Sequence, residues 1–361
     1  MSVDNSTMKL GKRPQRHDVR TLKLARYLTG AGQAQPLQPP ASVDYTHGMQ
    51  DWGMMLNDRL GCCTISAVGH AVQTWTANAL GRELTVPDST ILEYYEKWDG
   101  YNPADPATDQ GGVELDVLND WRQGEFDGHS LDAYVSISFR DSGERENRGI
   151  GRSGDREIGR TLNRRIDDAA NQTNASRQTA GSPDLPISRF SDLSIPQIAT
   201  AIWLFGGAYI GVELPIRAQN QDVWDVPANP GPDDEPGSWG GHAIYLVGYD
   251  RRDSGLGARD SGPKSADSGF RIPNSGARTL NSEFRIPDSG TLQSPAPSTQ
   301  PPTLTCITWG KPKKMTFAWF EKYCSEAYAL VSKDWLKSNG VAPSGFDLET
   351  LESDLRIVTC P

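Results

Sequence analysis

Leu56-Asn-Asp-Arg-Leu-Gly-Cys-Cys-Thr-Ile-Ser-Ala-Val-Gly-His-Ala-Val-Gln-Thr-Trp-Thr-Ala-Asn-Ala-Leu80 is the stretch on which the reading of this chain turns. Apolar residues at Ile65, Val68, Val72, Trp75 and Ala79 recur at steps of three and four, which predicts a helix over Thr64–Leu80 with one buried stripe. Cys63 then sits at or just before the first turn. The positive end of a helix dipole stabilises a thiolate, so a cysteine there is a candidate nucleophile. Such a thiol needs an imidazole brought to it on a rigid element.

Five histidines are available: His17, His47, His70, His129 and His242. His17 lies in a polar leading segment, and His47 and His129 fall in loop-like sequence. His70 is on the same helix about two turns beyond Cys63, too far for a hydrogen bond. His242 opens His-Ala-Ile-Tyr-Leu-Val-Gly-Tyr249, a run apolar on both faces, as in a buried strand. Upstream, Ser194-Ile-Pro-Gln197 is a capping box with proline in the first turn. It predicts a helix through Ile198, Ile202 and Phe205 that stops at Gly206-Gly207, followed by a strand over Ala208–Leu214.

Composition brackets these elements. The 361 residues carry 36 Lys plus Arg against 46 Asp plus Glu, a net charge of −10, which argues against nucleic acid as partner. Hydrophobic content is 36%, with 36 Gly and 25 Pro, the balance of a folded protein diluted by low-complexity sequence. The chain accordingly divides into a polar arm (1–39), an ordered part (40–139), a low-complexity insert (140–184), an ordered part (185–250), a second insert (251–304), an ordered part (305–336) and a tail (337–361). The second insert repeats Asp-Ser or Asn-Ser every seven residues. Asn281-Ser-Glu-Phe-Arg-Ile-Pro287 is what the heptanucleotide GAATTCC encodes when read through three frames, which marks an expanded DNA repeat tolerated in a surface loop. Cys62, Cys63, Cys306, Cys324 and Cys360 make neither a disulfide framework nor a zinc pattern. No secretory signal or membrane-length apolar run is visible, so a cytoplasmic setting is expected.

Six segments in order resemble the papain-like cysteine peptidases. They are Pro40-Ala-Ser-Val-Asp-Tyr45, Leu56–Ala67 with Thr64 after the cysteine as in bacterial forms, Asp109-Gln-Gly-Gly112 followed by Leu118, Trp121 and Gly124, Phe205-Gly-Gly-Ala-Tyr-Ile-Gly-Val212, Gly240–Tyr249, and Thr308-Trp-Gly310. The resemblance implies an α+β fold of two lobes, a helical lobe carrying the cysteine and a β-barrel lobe carrying the histidine, with the site in the cleft between them. It implies that Cys63 attacks a peptide or amide carbonyl, that His242 holds the thiolate and protonates the leaving amine, and that Gly111 and Gly112 line the groove for an extended peptide. Trp309 would shield the histidine's outer hydrogen bond from water. No metal or organic cofactor is implied; the expected partner is a peptide or protein substrate, with neither nucleic acid nor membrane, and oligomeric state is not readable.

Three points stay open. Cys62 rivals Cys63: aligning on Ser66-Ala67-Val68 favours Cys62, whereas Leu60-Gly61 and Thr64 favour Cys63 and put Asn57 where the family has its oxyanion glutamine. Ile307 stands where the family has the asparagine that orients the histidine, and Thr308 is the candidate for that third position. The groove could therefore serve a thiol hydrolase, a non-catalytic peptide-binding module, or the same Cys–His chemistry on a cell-wall peptide or in transamidation. Residues 1–39 are too few and too polar to build a helical inhibitory domain, so restraint by such a domain is not expected.

Overall fold

The computed structural model describes residues 5–25, 39–137, 194–251, 301–336 and 342–344. The insert 140–184, nearly all of the repeat-bearing insert and most of the tail lie outside the described residues. Strand β1 (Ser42–Asp44) precedes helices α1 (Cys63–Leu80), α2 (Asp88–Asp99) and α3 (Glu114–Gln123). Short strands β2 (Glu125–Phe126), β3 (His129–Ser130) and β4 (Ala133–Ser136) follow. Next come α4 (Ser194–Phe205), β5 (Ala208–Leu214), β6 (Val223–Trp224) and β7 (Gly240–Asp250). The chain continues through β8 (Thr303–Thr308), β9 (Lys311–Thr316), α5 (Phe317–Tyr323) and β10 (Cys324–Val331). The protein is thus a mixed α/β structure built on one large sheet, ordered β4-β10-β5-β7-β8-β9-β6. Among the described residues no helix is long and apolar enough to cross a membrane.

The long strand β7 organises the sheet. Its first part, Gly240–Leu246, pairs antiparallel with β5, while Gly248–Asp250 pairs with β1 and the opposite edge takes β8. Alternation sends its side chains into two cores. Ile244 and Leu246 pack with α4, α5 and the inner residues of β5; Ala243, Tyr245 and Val247 pack with α1, α2 and α3.

Helix α1 begins one residue earlier than its apolar spacing predicts and is buried on all sides from Cys63 to Ala77, not along one stripe. Its polar residues are tolerated there because they bond locally. Thr74 and Thr76 donate to the carbonyls of His70 and Val72, Ser66 to Met55, and Gln73 to Leu84. Residues on its outer turns are tied across the molecule: Trp75 donates to the Phe205 carbonyl, and Tyr209 to that of Thr64.

At the head of α1, Thr64 donates to Asp99 Oδ2 at 2.8 Å. Burial raises the Asp99 carboxyl to about 7, against the lowering effect of Thr64. A carboxyl raised on folding destabilises the fold as pH climbs from the unfolded value near 4 towards 7, because the unfolded chain loses its proton first. The thermal midpoint of Asp99→Asn should therefore fall less than that of the parent between pH 5 and pH 8. Equal pH slopes in scanning calorimetry would refute this role.

Candidate active site

The sulfur of Cys63 rests against the histidine strand. The Ala243 N–H donates to Cys63 Sγ at 3.4 Å, and the Gly11 N–H from the leading arm donates to it as well. Cys62, the residue just before α1, makes no side-chain cap, and its thiol turns the other way. Cys62 Sγ donates to the Met55 carbonyl at 3.3 Å and lies 3.7 Å from Ser66 Oγ and 4.0 Å from Asn57 Oδ1. Asn57 is buried, so its carboxamide is brought beside Cys62. Burial pushes the Cys63 thiol up to about 12 and that of Cys62 higher still.

His242 is fully buried at the start of β7. Its Nε2 lies 2.8 Å from Thr308 Oγ1, and its Nδ1 has no partner among the described residues. Thr308 reaches it because β8 pairs Ile307 with Tyr245. One step further, Thr308 falls beside Ile244, whose side chain shares the face of His242, while Ile307 turns into the core around α1. The Trp309 ring stacks on the imidazole at 4.8 Å and 18°, and is itself flanked by Trp239. Trp309 holds this position at φ 47° in the two-residue turn joining β8 to β9, a left-handed conformation that costs a non-glycine residue roughly 1–2 kcal/mol. Burial, with His70 nearby, pushes His242 down to about 3, so thiol and imidazole are both neutral in this closed arrangement.

The other histidines serve elsewhere. His70 is buried with Nδ1 3.1 Å from Gln73 Oε1, His129 pairs with Asp334 from β3 rather than from a loop, and His47 is exposed beside Asp44. His17 is exposed.

Residues 9–13 of the arm bond to Asn57, to the Gly111-Gly112 segment and to the histidine strand. Lys9 N–H donates to the Asn57 carbonyl, Gly112 N–H to Gly11, Arg13 N–H to Gly112, and Lys12 N–H to Gly241. The arm thus bridges Gly112 and the residue before His242. An extended strand needs no core of its own when the groove supplies its hydrogen bonds. The walls are held by Asp109 Oδ1, which accepts from Gly61 N–H and Tyr95 OH, while Tyr95 OH accepts from Gly111 N–H.

Lys12 carries its side chain, with no exposed area, into a pocket of carboxylates. Its Nζ is 3.0 Å from Glu213 Oε1 and 3.2 Å from Glu326 Oε1. Glu114 is completely buried at the start of α3, with no hydrogen-bond partner for either oxygen among the described residues, and Glu326 accepts from Tyr328 OH at 2.9 Å. Burial pulls the ammonium pKa down, but Glu114, Glu326 and Glu213 more than offset this and hold it above its ordinary value. The sequence reading missed these acids. Their signal was a carboxylate inside each of two apolar strands, Ala208–Leu214 and Cys324–Val331, and one just after Gly111-Gly112.

No protein-family model matches the chain, and no curated protein matches it in sequence. Among solved structures, xylellain, a cysteine protease from Xylella fastidiosa, is similar with a TM-score of 0.43 and 13% identity, over 90% of this chain and 96% of that one.

Proposed function

We propose that the protein is a papain-like thiol hydrolase acting on peptide or amide bonds, with its two cores as the two lobes and the arm-filled groove as the substrate cleft. The observation that carries this reading is the state of His242. One ring nitrogen is held by Thr308, the other has no partner among the described residues, and the next backbone amide touches Cys63 Sγ. With Nε2 protonated towards Thr308, Nδ1 is free to accept the Cys63 proton as sulfur attacks a carbonyl. The imidazolium then protonates the leaving amine, and water, deprotonated by the same nitrogen, releases the acyl group. The free N–H groups at the start of α1 would stabilise the oxyanion. Asn57 would join them only if its carboxamide turns from Cys62.

Thr308 acts as a positioning residue. Thr308→Val is expected to lower kcat for a fluorogenic peptide amide by about 10- to 100-fold with little change in KM, and Thr308→Ser to restore most of it. A kcat unchanged in the valine variant would remove Thr308 from the mechanism.

The second reading, a groove that only holds extended peptide, is favoured by the neutral, deeply buried thiol–imidazole pair and by the arm already seated there. The deciding measurement is mass spectrometry of full-length protein mixed with a thioester or activated ester peptide. A covalent acyl adduct on Cys63 is the expected result. Tight peptide binding without any adduct would favour the binding module.

A further inference from the structure

Among the described residues, the pocket that receives Lys12 is the most sharply defined feature of the groove, and its chemistry speaks to what else could enter it. Glu213, Glu326 and Glu114 come from β5, β10 and α3, so three separate elements converge carboxylates on one point. Gly211 leaves the space for a long aliphatic stem. A Cβ there would overlap Lys12 Cε and lie 2.8 Å from Glu114 Oε1. Gly211 is not in the left-handed region, so its lack of a side chain matters here as volume and not as backbone freedom.

We infer that this pocket selects a lysine or arginine side chain of the substrate, and that Lys12 of the arm is its internal stand-in. The inference rests on the groove being the substrate groove proposed above. When the arm leaves, Glu326 loses its cation and Glu114 still has no hydrogen-bond partner among the described residues. Buried carboxylates left so are stabilised by a new cation on a stem of the same length, and an aliphatic side chain would leave them unpaired. The backbone bonds of Gly112 and Gly241, which now hold the arm, would hold the substrate on either side of the pocket.

The test uses full-length protein carrying Gly11→Val to loosen the arm. Coumarin-releasing peptide amides, varied one position at a time, are expected to show at least about a 10-fold higher kcat/KM for Lys or Arg than for norleucine at one position. Gly211→Val should abolish that preference by filling the stem space. Cleavage with no basic preference at any position, or a preference for norleucine, overturns the inference and leaves the hydrolase reading intact. If no amide is cleaved, fluorescein-labelled peptide of residues 5–20 is titrated in parallel with its Lys12→Met version. Binding at least about 10-fold tighter with lysine supports the pocket while the hydrolase reading falls. Equal binding, or none, overturns the pocket. Because the peptide rather than the protein carries that change, misfolding cannot mimic the result.

Discussion

Cys63→Ala is expected to reduce peptide hydrolysis by on the order of 10⁴-fold or more, whereas Cys62→Ala should leave it within a few-fold of the parent. The two thiols are adjacent in sequence and equally buried, so the contrast rests on direction. Cys63 Sγ faces the backbone of Ala243, one residue from His242; Cys62 Sγ faces Met55, Ser66 and Asn57. Without the sulfur no acyl-enzyme forms, and the imidazole is left only with direct attack of water on an unactivated amide, a far slower route. Steady-state rates on a peptide amide, with circular dichroism to show that both variants fold, decide the matter. Loss of activity in Cys62→Ala with retention in Cys63→Ala would reverse the assignment.

Gly11→Val is expected to raise the rate of iodoacetamide labelling at Cys63 by about 10- to 100-fold. At Gly11 a Cβ would run into the Gly61 carbonyl, part of the rigid loop tied to Asp109. Overpacking of that kind costs about 1–3 kcal/mol, and each 1.4 kcal/mol is tenfold in the open population. The arm's departure also removes the Gly11 N–H from Cys63 Sγ and admits water. Burial is the largest cause of the raised thiol, so its pKa should fall from about 12 towards the ordinary range. The labelling rate should then begin to climb at lower pH than in the parent. Hydrolysis should rise in step with labelling if the arm is what blocks the groove. Unchanged labelling across the pH range would mean that the arm is not the barrier.

The elements that place these groups were legible from local pattern. Three-and-four spacing marked α1 almost to the residue, apolar spacing and the glycine pair marked α4, and continuous apolar runs marked β5 and β7. Helix starts and strand runs depend on neighbours a few residues away, so one segment carries the whole signal. That covering on every side of α1 escaped notice has the same cause, since burial of Thr64, Ser66 or Gln73 depends on partners elsewhere in the chain.

The amino-acid sequence by itself determined that a cysteine heads a long helix, that a histidine opens a buried strand, and that Trp309 follows Thr308 near it. Only the tertiary structure decided which of two adjacent thiols meets the histidine strand, that Thr308 and not Ile307 faces the imidazole, and that the arm carries Lys12 among three glutamates. Strand alternation is written in sequence, but its phase is set by pairing with β7, whose register with β8 shifts between Leu246 and Gly248. A pocket assembled from residues 12, 114, 213 and 326 likewise has no local signature, because charge placement across a sheet is fixed by which strands meet and not by spacing along the chain.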